Sequence, residues 1–134
     1  AAIVDADKDS CWTLKGNCQD AENGYVKYSE QAGDEITFTF EGTGASIEGW
    51  WVKNGGKADV YVDGIFKRTI DCFYYYAKQE HRNINIFHIL NLEEGKHTIN
   101  IVVKGEKREE SEGCAIGVRG AIVFKNGTKS YDAI

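Results

Sequence analysis

The stretch GGKADVYVDGIFKRTI, residues 55–70, decides the fold class of this chain. Apolar residues occupy every second position from Ala58, Asp63-Gly64 interrupts them, and the alternation resumes at Phe66. Asp-Gly tolerates the positive φ angles that a two-residue type I′ turn requires, so the stretch predicts a β-hairpin. Because antiparallel strands reverse direction at each turn, the hairpin also indicates at which end of a sheet each later loop lies.

Alternating apolar and polar residues predict further half-buried strands on both sides of the hairpin. Besides the hairpin, the predicted strands are residues 2–4, 25–29, 35–40, 45–51, 84–90, 96–104 and 114–124. Glycine-rich turns separate them, whereas residues 11–24 show no period and predict a loop. About eight or nine short strands and no helical pattern predict an all-β fold, an antiparallel β-sandwich or jelly roll.

The composition is that of one soluble domain, residues 1–134, with 42% hydrophobic and 28% charged residues. A net charge of −5 without a long basic run argues against nucleic acid or an anionic membrane as a partner. No apolar run approaches the roughly 20 residues that span a bilayer. Because the chain begins at Ala1 and contains no methionine, we expect a processed chain or a module of a larger protein.

The four cysteines lack the paired CxxC spacing of structural zinc sites. Their even number favours disulfides and an exported protein, and four reduced thiols are the alternative. We expect the bonds Cys11–Cys18 and Cys72–Cys114. The second bond is expected because strand directions bring Cys72 and Cys114 to the same end of the sandwich.

Five ordered segments of the chain resemble a known group of domains. They are TFTFEGTGASIEGW, GGKADVYVDG, TIDC, LEEGKHTINIVVKGEK and SEGCAIGVRGAIVF, within residues 25–124. The string resembles the noncatalytic, galactose-binding-like jelly-roll modules of secreted bacterial polysaccharide-degrading enzymes, many of which are carbohydrate-binding modules. The matching positions are chiefly structural: Gly42, Gly44, Asp63, Gly64, Gly95, His97 and Thr98. The cysteines and the Trp50-Trp51 pair depart from the pattern, so no sugar specificity is implied.

Counting strand directions from the hairpin turn predicts which end of the sandwich binds ligand. Residues 52–56, 73–83 and 105–113 share one end, whereas the opposite end holds only tight turns. An aromatic platform beside planar hydrogen-bonding groups is typical of sugar sites. Trp50 and Trp51 point to opposite faces of their strand, so at most one of them belongs to the core. The candidate ligand-binding residues are Trp50, Trp51, Asn54, Tyr74, Tyr75, Tyr76, His81, Arg82, Arg108 and Glu112.

Other polar and aromatic residues carry weaker signals. Trp12 belongs either to the core or to a ligand contact, and both readings stay open. His97 is in phase with the apolar residues of its strand, so we expect a hydrogen-bonded core histidine. Asp5, Asp7 and Asp9 do not fit the EF-hand pattern, so we expect this acidic segment to be a solvated turn. A structural calcium ion is the alternative.

The sequence lacks recognisable catalytic motifs. It contains no GxSxG elbow, no HExxH and no phosphate-binding glycine loop, and the glutamates of residues 105–113 lie in a solvated run. We therefore expect a noncatalytic module without a cofactor that binds a polysaccharide or oligosaccharide and holds a linked catalytic domain on it. Such a module is expected to be secreted or located at the cell surface. A structural or protein-docking domain is the alternative.

Overall fold

The computed structural model describes residues 2–5, 12–22, 26–74 and 81–125, with side chains for all of these except residues 2–5, 82 and 83. The strands are β1 (Ala2–Asp5), β2 (Trp12–Lys15), β3 (Gln19–Ala21), β4 (Val26–Ser29), β5 (Glu35–Gly42), β6 (Gly44–Trp51), β7 (Lys57–Val62), β8 (Ile65–Asp71), β9 (His81–Ile89), β10 (Gly95–Val103) and β11 (Ile116–Phe124). The described residues contain no helix, and so none long and apolar enough to cross a membrane.

The strands form two antiparallel sheets packed face to face. The six-stranded sheet has the order β3-β4-β11-β6-β9, with β1 also paired to β11, and the five-stranded sheet has the order β2-β5-β10-β7-β8. The predicted all-β sandwich is therefore confirmed. The described residues form eleven strands, because two additional strands lie within the predicted loop of residues 11–24. These are β2 and β3, short edge strands that pair with β5 and β4, respectively.

The β7–β8 hairpin forms as predicted. Asp63 and Gly64 have φ angles of 52° and 80°, which fit the two central positions of a type I′ turn. A bulge between Val60 and Tyr61 shifts the register of the pair. Beyond the turn only Ile70 is buried on β8, because this strand is the outer edge of its sheet.

The core lies between the two sheets and follows from the alternation along the strands. On β5 the burial alternates strictly from Ile36 to Phe40, as the EITFTF pattern predicts. These side chains pack with Ile101 of β10 and with Ile47 and Val118 of the facing sheet. Trp12 joins this core, since it is only 9% exposed and its ring stacks on Phe38 at a centroid distance of 4.5 Å. The open question about Trp12 is thus decided in favour of packing.

The turn at residues 42–44 carries the chain from one sheet to the other. Gly42 pairs with Gly95 in the five-stranded sheet, whereas Gly44 pairs with Phe124 in the six-stranded sheet. A Cβ atom on Gly42 would lie 2.4 Å from the carbonyl oxygen of Phe124. Glycine is required there because the backbones of the two sheets approach each other closely.

The expected Cys72–Cys114 disulfide is wrong, since both are free thiols. Cys72 points into the core and is 2% exposed. The backbone of Gly56 lies between the two cysteines, because Gly56 accepts a hydrogen bond from Cys72 N–H and donates one to the carbonyl of Ala115. Burial, and then the charge of the adjacent Asp71, raises the pKa of the Cys72 thiol to about 12.

The expected Cys11–Cys18 bond is not formed either. Cys18 is a free thiol, and Cys11 lies outside the described residues. The sulfur of Cys18 instead lies 3.7 Å from the carbonyl oxygen of Lys15 and 3.8 Å from that of Glu35. The thiol therefore packs where β2 meets β5.

His97 is hydrogen-bonded on both ring nitrogens, as expected, but it is only partly buried and does not belong to the core. It connects the hairpin turn to β10. Its Nδ1 lies 2.6 Å from Asp63 Oδ2 and its Nε2 lies 2.6 Å from the carbonyl oxygen of Glu93. The bond to Asp63, followed by the one to Glu93, raises the pKa of His97. Burial by itself raises the pKa of Asp63, but the hydrogen bonds from His97 and from Thr98 N–H outweigh it and lower that pKa.

Candidate functional site

Three chain segments meet at one end of the sandwich. Residues 72–74 run parallel to the end of β6, with Val52 N–H donating to Cys72 O and Tyr74 N–H donating to Val52 O, both at 3.0 Å. The loop of residues 105–113 joins them, since Glu112 N–H donates to Lys53 O at 3.1 Å. This is the end at which strand counting predicts a ligand site.

Three aromatic rings form a cluster at this end, which we call the ring cluster: Trp51, Tyr74 and His81. His81 is the cross-strand neighbour of Trp51, and the two rings stack at 5.5 Å. Tyr74 lies 4.5 Å from the Trp51 ring and contacts His81 edge-on at 4.7 Å. A hydrogen bond of 2.7 Å from Trp51 Nε1 to the carbonyl of Phe73 fixes the orientation of the indole. Trp51 is partly exposed, so one part of the cluster faces solvent.

A charged pair lies beside the ring cluster at the end of β8. Arg108 Nε donates to Asp71 Oδ2 at 3.1 Å, and Phe73 N–H donates to Asp71 Oδ1 at 3.1 Å. The Arg108 guanidinium also lies 6.0 Å from the centroid of the Phe73 ring. Asp71 thus connects the segment after β8 to the loop of residues 105–113. Arg108 remains 55% exposed and keeps donors available to a ligand.

A cleft of about 240 Å³ opens next to these groups, between the edge strands β8 and β9. Its lining combines apolar side chains with an amide, a carboxylate and an indole. The residues are Trp51, Asp71, Cys72, Ile84, Asn85 and Ile86. An apolar concavity with a few polar groups is the usual form of a small-molecule site.

Trp50 is packed away from this cleft on the outer side of the six-stranded sheet. It is 6% exposed and contacts Tyr28 at a ring distance of 5.3 Å. Its Nε1 donates to Glu22 Oε2 at 2.6 Å, and Arg119 binds the other carboxylate oxygen of Glu22 at 3.2 Å. Of the two adjacent tryptophans, Trp51 is therefore the one whose ring is exposed enough to contact a ligand.

The remaining candidate residues fall into two groups. Asn54 and Glu112 contribute backbone hydrogen bonds to the loop contacts, through Ala115 N–H to Asn54 O and through Glu112 N–H to Lys53 O. Tyr75 and Tyr76 lie outside the described residues, and the side chain of Arg82 is not described. Among the described candidates, Asn54 and Glu112 therefore do not line the cleft.

Asp71 and Asn85 line the cleft although the sequence pattern did not single them out as ligand-binding residues. Strand direction alone would have placed Asp71 at the correct end, since it ends β8. Asn85 carries no such signal, because its position depends on the pairing of β9 with β6 across a bulge.

No group of three or more histidine, cysteine, aspartate or glutamate side chains in the described part of the chain is arranged to hold a metal ion. Asp7 and Asp9 fall outside that part, and only the backbone of Asp5 is described. A structural calcium ion at this acidic segment stays a prediction.

Comparison with known sequences finds two related enzymes, both from Flavonifractor plautii, and no protein-family model matches the chain. An A type blood N-acetyl-alpha-D-galactosamine deacetylase is 35% identical over 79 residues, 59% of this chain and 10% of the enzyme. An A type blood alpha-D-galactosamine galactosaminidase is 29% identical over 103 residues, 73% of this chain and 9% of the enzyme. The chain spans about a tenth of the length of these relatives.

Solved structures with a similar fold include complete carbohydrate-binding modules. A family 35 module from an environmental isolate aligns with a TM-score of 0.61 and 16% identity, covering 95% of both chains. The CBM36-1 domain of a multidomain xylanase from the hindgut metagenome of Trinervitermes trinervoides aligns with a TM-score of 0.56 and 18% identity, covering 90% of this chain and 93% of that domain. The chain therefore has the β-sandwich fold of carbohydrate-binding modules.

Proposed function

We propose that this chain is a noncatalytic carbohydrate-binding module whose site is the ring cluster and the adjacent cleft. The observation that carries the proposal is the partly exposed, hydrogen-bonded Trp51 ring at the mouth of a cleft of about 240 Å³. Sugars present flat C–H faces and hydroxyl rims, so an indole face and nearby amide, carboxylate and guanidinium groups match both features. The fold and the sugar-processing relatives support the same reading.

The arrangement suits binding better than catalysis. Both oxygens of the Asp71 carboxylate already accept hydrogen bonds, one from Arg108 and one from a backbone N–H. A glycosidase needs a second carboxyl group facing the first across the bond to be cleaved. Among the described residues that line the cleft, only Asp71 carries a carboxylate. The described residues therefore favour a role in holding sugar rather than cleaving it.

The module acts by proximity. Binding to a polysaccharide or oligosaccharide raises the effective substrate concentration of a catalytic domain linked to it. One indole platform with a few hydrogen bonds gives modest affinity, on the order of micromolar to millimolar. The larger size of the two related enzymes supports a linked catalytic domain, and such a glycan-degrading protein would be secreted or located at the cell surface.

Calorimetric titration of the chain against a panel of plant, algal and host glycans tests the proposal. The panel includes glycans ending in N-acetylgalactosamine, because the related deacetylase is named for that sugar. We expect binding to at least one glycan, with quenching or shift of tryptophan fluorescence. Trp51→Ala should weaken it by about tenfold or more, since stacking and apolar burial are lost together.

Phe66→Ala is the matched control. Phe66 is an aromatic residue 52% exposed at the opposite end of the sandwich, so its removal should leave glycan affinity unchanged. Binding that survives Trp51→Ala, or that is lost equally in Phe66→Ala, would contradict the assignment of the site. The absence of binding across the whole panel would favour a docking or structural domain.

A further inference from the structure

The cleft beside the ring cluster has a largely apolar lining. Ile84 and Ile86 of β9 and Cys72, directly after β8, form its apolar part. Cys72 is only 2% exposed and belongs to the main core, so the inner end of the cleft is closed by the core. A sugar hydroxyl placed against these side chains would lose water without gaining a hydrogen bond. The part of a ligand that enters most deeply is therefore apolar.

A bulge on β9 brings three consecutive residues to the cleft. The pairing of β9 with β6 skips Ile86, because its neighbours Asn85 and Phe87 are opposite consecutive residues of β6. In a regular strand, successive side chains point to opposite faces, and a bulge interrupts this alternation. Ile84, Asn85 and Ile86 therefore all line the cleft, and an amide group lies between two aliphatic side chains.

Among the described residues, two polar side chains line the cleft besides the indole: the carboxylate of Asp71 and the amide of Asn85. Each carboxylate oxygen of Asp71 accepts one hydrogen bond, from Arg108 or from Phe73 N–H, and keeps a lone pair for a further donor. Asn85 is exposed, and its NH₂ group is a donor. An acceptor and a donor beside an apolar surface complement a secondary amide that carries a methyl group.

The charge beside Asp71 disfavours an amine in the same position. Arg108 Nε lies 3.1 Å from Asp71 Oδ2, so the guanidinium already offsets the charge of the carboxylate. An ammonium group bound to Asp71 would lie close to this like charge and would lose water against the isoleucines. A neutral N–H donor incurs neither cost.

The volume of the cleft, about 240 Å³, limits the size of what it encloses. Pockets that enclose drug-sized ligands measure roughly 300–1,000 Å³. A smaller cleft of this kind takes one substituent and part of one sugar ring.

We propose that the cleft recognises the acetamido group of a single N-acetylated sugar residue. This inference rests on the proposed function, because it assigns a class of sugar to the same site. The methyl group lies against Ile84 and Ile86. The acetamido N–H donates to Asp71, and the acetamido carbonyl accepts from the Asn85 amide. The sugar ring contacts the partly exposed indole of Trp51 at the mouth of the cleft.

Two-dimensional amide NMR of the chain, titrated with methyl glycosides, tests this assignment. The gluco and galacto series each supply an N-acetylated sugar, the corresponding free amine and the parent sugar with a hydroxyl group. In at least one series, the N-acetylated sugar should bind about tenfold more tightly than the other two, because it adds a buried methyl group and a hydrogen bond. It should also shift the side-chain amide signals of Asn85 and the indole signal of Trp51. A 6-deoxy sugar, which has a methyl group without the amide, should bind no better than the parent sugar.

Asn85→Leu keeps the approximate size of the side chain and removes its amide. It should reduce the preference for the N-acetylated sugar over the parent sugar by about three- to tenfold, the effect of one hydrogen bond. His88→Leu is the matched control, because His88 is exposed on the same strand and is not among the residues that line the cleft. This variant should keep the preference.

The outcomes separate this inference from the proposed function. Equal binding of the N-acetylated and parent sugars at the cleft would overturn the acetamido assignment and leave the proposed function standing. Tighter binding of the amine, or a preference that survives Asn85→Leu, would overturn it as well. The absence of binding by every one of these sugars and by the whole glycan panel would overturn both.

Discussion

The hydroxyl of Ser111 provides the sharpest test of how the segments beside the ring cluster are held together. Ser111 is 5% exposed, and its Oγ lies 2.7 Å from the carbonyl oxygen of Gly55, 2.9 Å from that of Gly113 and 3.2 Å from that of Lys53. It joins the loop of residues 105–113 to the turn after β6. Ser111→Ala removes this connection and almost no volume.

The size of the effect follows from the chemistry of a hydroxyl. Its single proton is donated to one carbonyl at a time, and the shortest contact identifies Gly55 as the main acceptor. Losing one buried hydrogen bond and leaving its acceptor unsatisfied costs about 1–3 kcal/mol. For a domain of this size that corresponds to a fall in Tm of roughly 3–15 °C.

Urea unfolding followed by tryptophan fluorescence measures the free energy of unfolding of each variant. Ser46→Ala is a matched control for Ser111→Ala, because Ser46 is equally buried at 7% exposure but makes no hydrogen bond within the described residues. We expect Ser46→Ala to change the free energy of unfolding by less than about 0.5 kcal/mol in either direction.

Equal losses in the two serine variants would refute the reasoning. That result would mean that the removal of a buried hydroxyl, and not its hydrogen bonds, determines stability. An unchanged free energy for Ser111→Ala would equally contradict the view that this hydroxyl holds the loop in place.

Three further perturbations follow from the contacts described above. The His97–Asp63 pair makes stability depend on pH. The raised pKa of His97 adds stability below about pH 6.5, and this stability is lost as pH rises through the folded-state pKa of His97. The lowered pKa of Asp63 adds stability above about pH 3.9, and this stability is lost as pH falls through the folded-state pKa of Asp63. The loss of unfolding free energy in His97→Gln should therefore be largest between these values, and a difference independent of pH would contradict the pairing. Thiol titration should find Cys72 and Cys114 both free after unfolding, whereas Cys72 should be unreactive in the folded chain because it is buried and its pKa is raised. If the unfolded chain has two fewer free thiols because these two cysteines are bonded, the assignment of free thiols is wrong. Gly117→Ala would place a methyl carbon 2.4 Å from the indole of Trp50, so we expect the free energy of unfolding to fall by about 1–3 kcal/mol and the tryptophan emission to shift. An unshifted emission would refute the contact between Gly117 and Trp50.

The strands of the central hairpin and of β5 could be predicted because their information is local. Alternation with a period of two and an Asp-Gly turn specify a strand pair through contacts a few residues apart. β2 and β3 could not be predicted in this way, since they are short and show no sustained apolar alternation, although their partners β5 and β4 were both predicted. Their existence depends on an available sheet edge rather than on their own sequence.

The end of the sandwich that carries the ring cluster was predicted for a similar reason, whereas its role in ligand binding stays a prediction. Because consecutive antiparallel strands alternate in direction, counting strands from the hairpin turn places Trp51, Tyr74 and Arg108 at one end without any knowledge of packing. It does not say which of two adjacent tryptophans faces solvent, because a bulge between Gly49 and Trp51 resets the alternation. It also does not predict that Gly56 separates Cys72 from its expected partner.

The sequence by itself determined the all-β class, the hairpin and the end of the sandwich that carries aromatic residues, because hydrophobic period and turn chemistry act over neighbouring residues. Only the tertiary structure decided that Trp50 is packed, that Asp71 binds Arg108 and that Cys72 is buried. These outcomes depend on which strands become neighbours and on how much water their packing excludes. Both are properties of contacts between residues far apart in the chain.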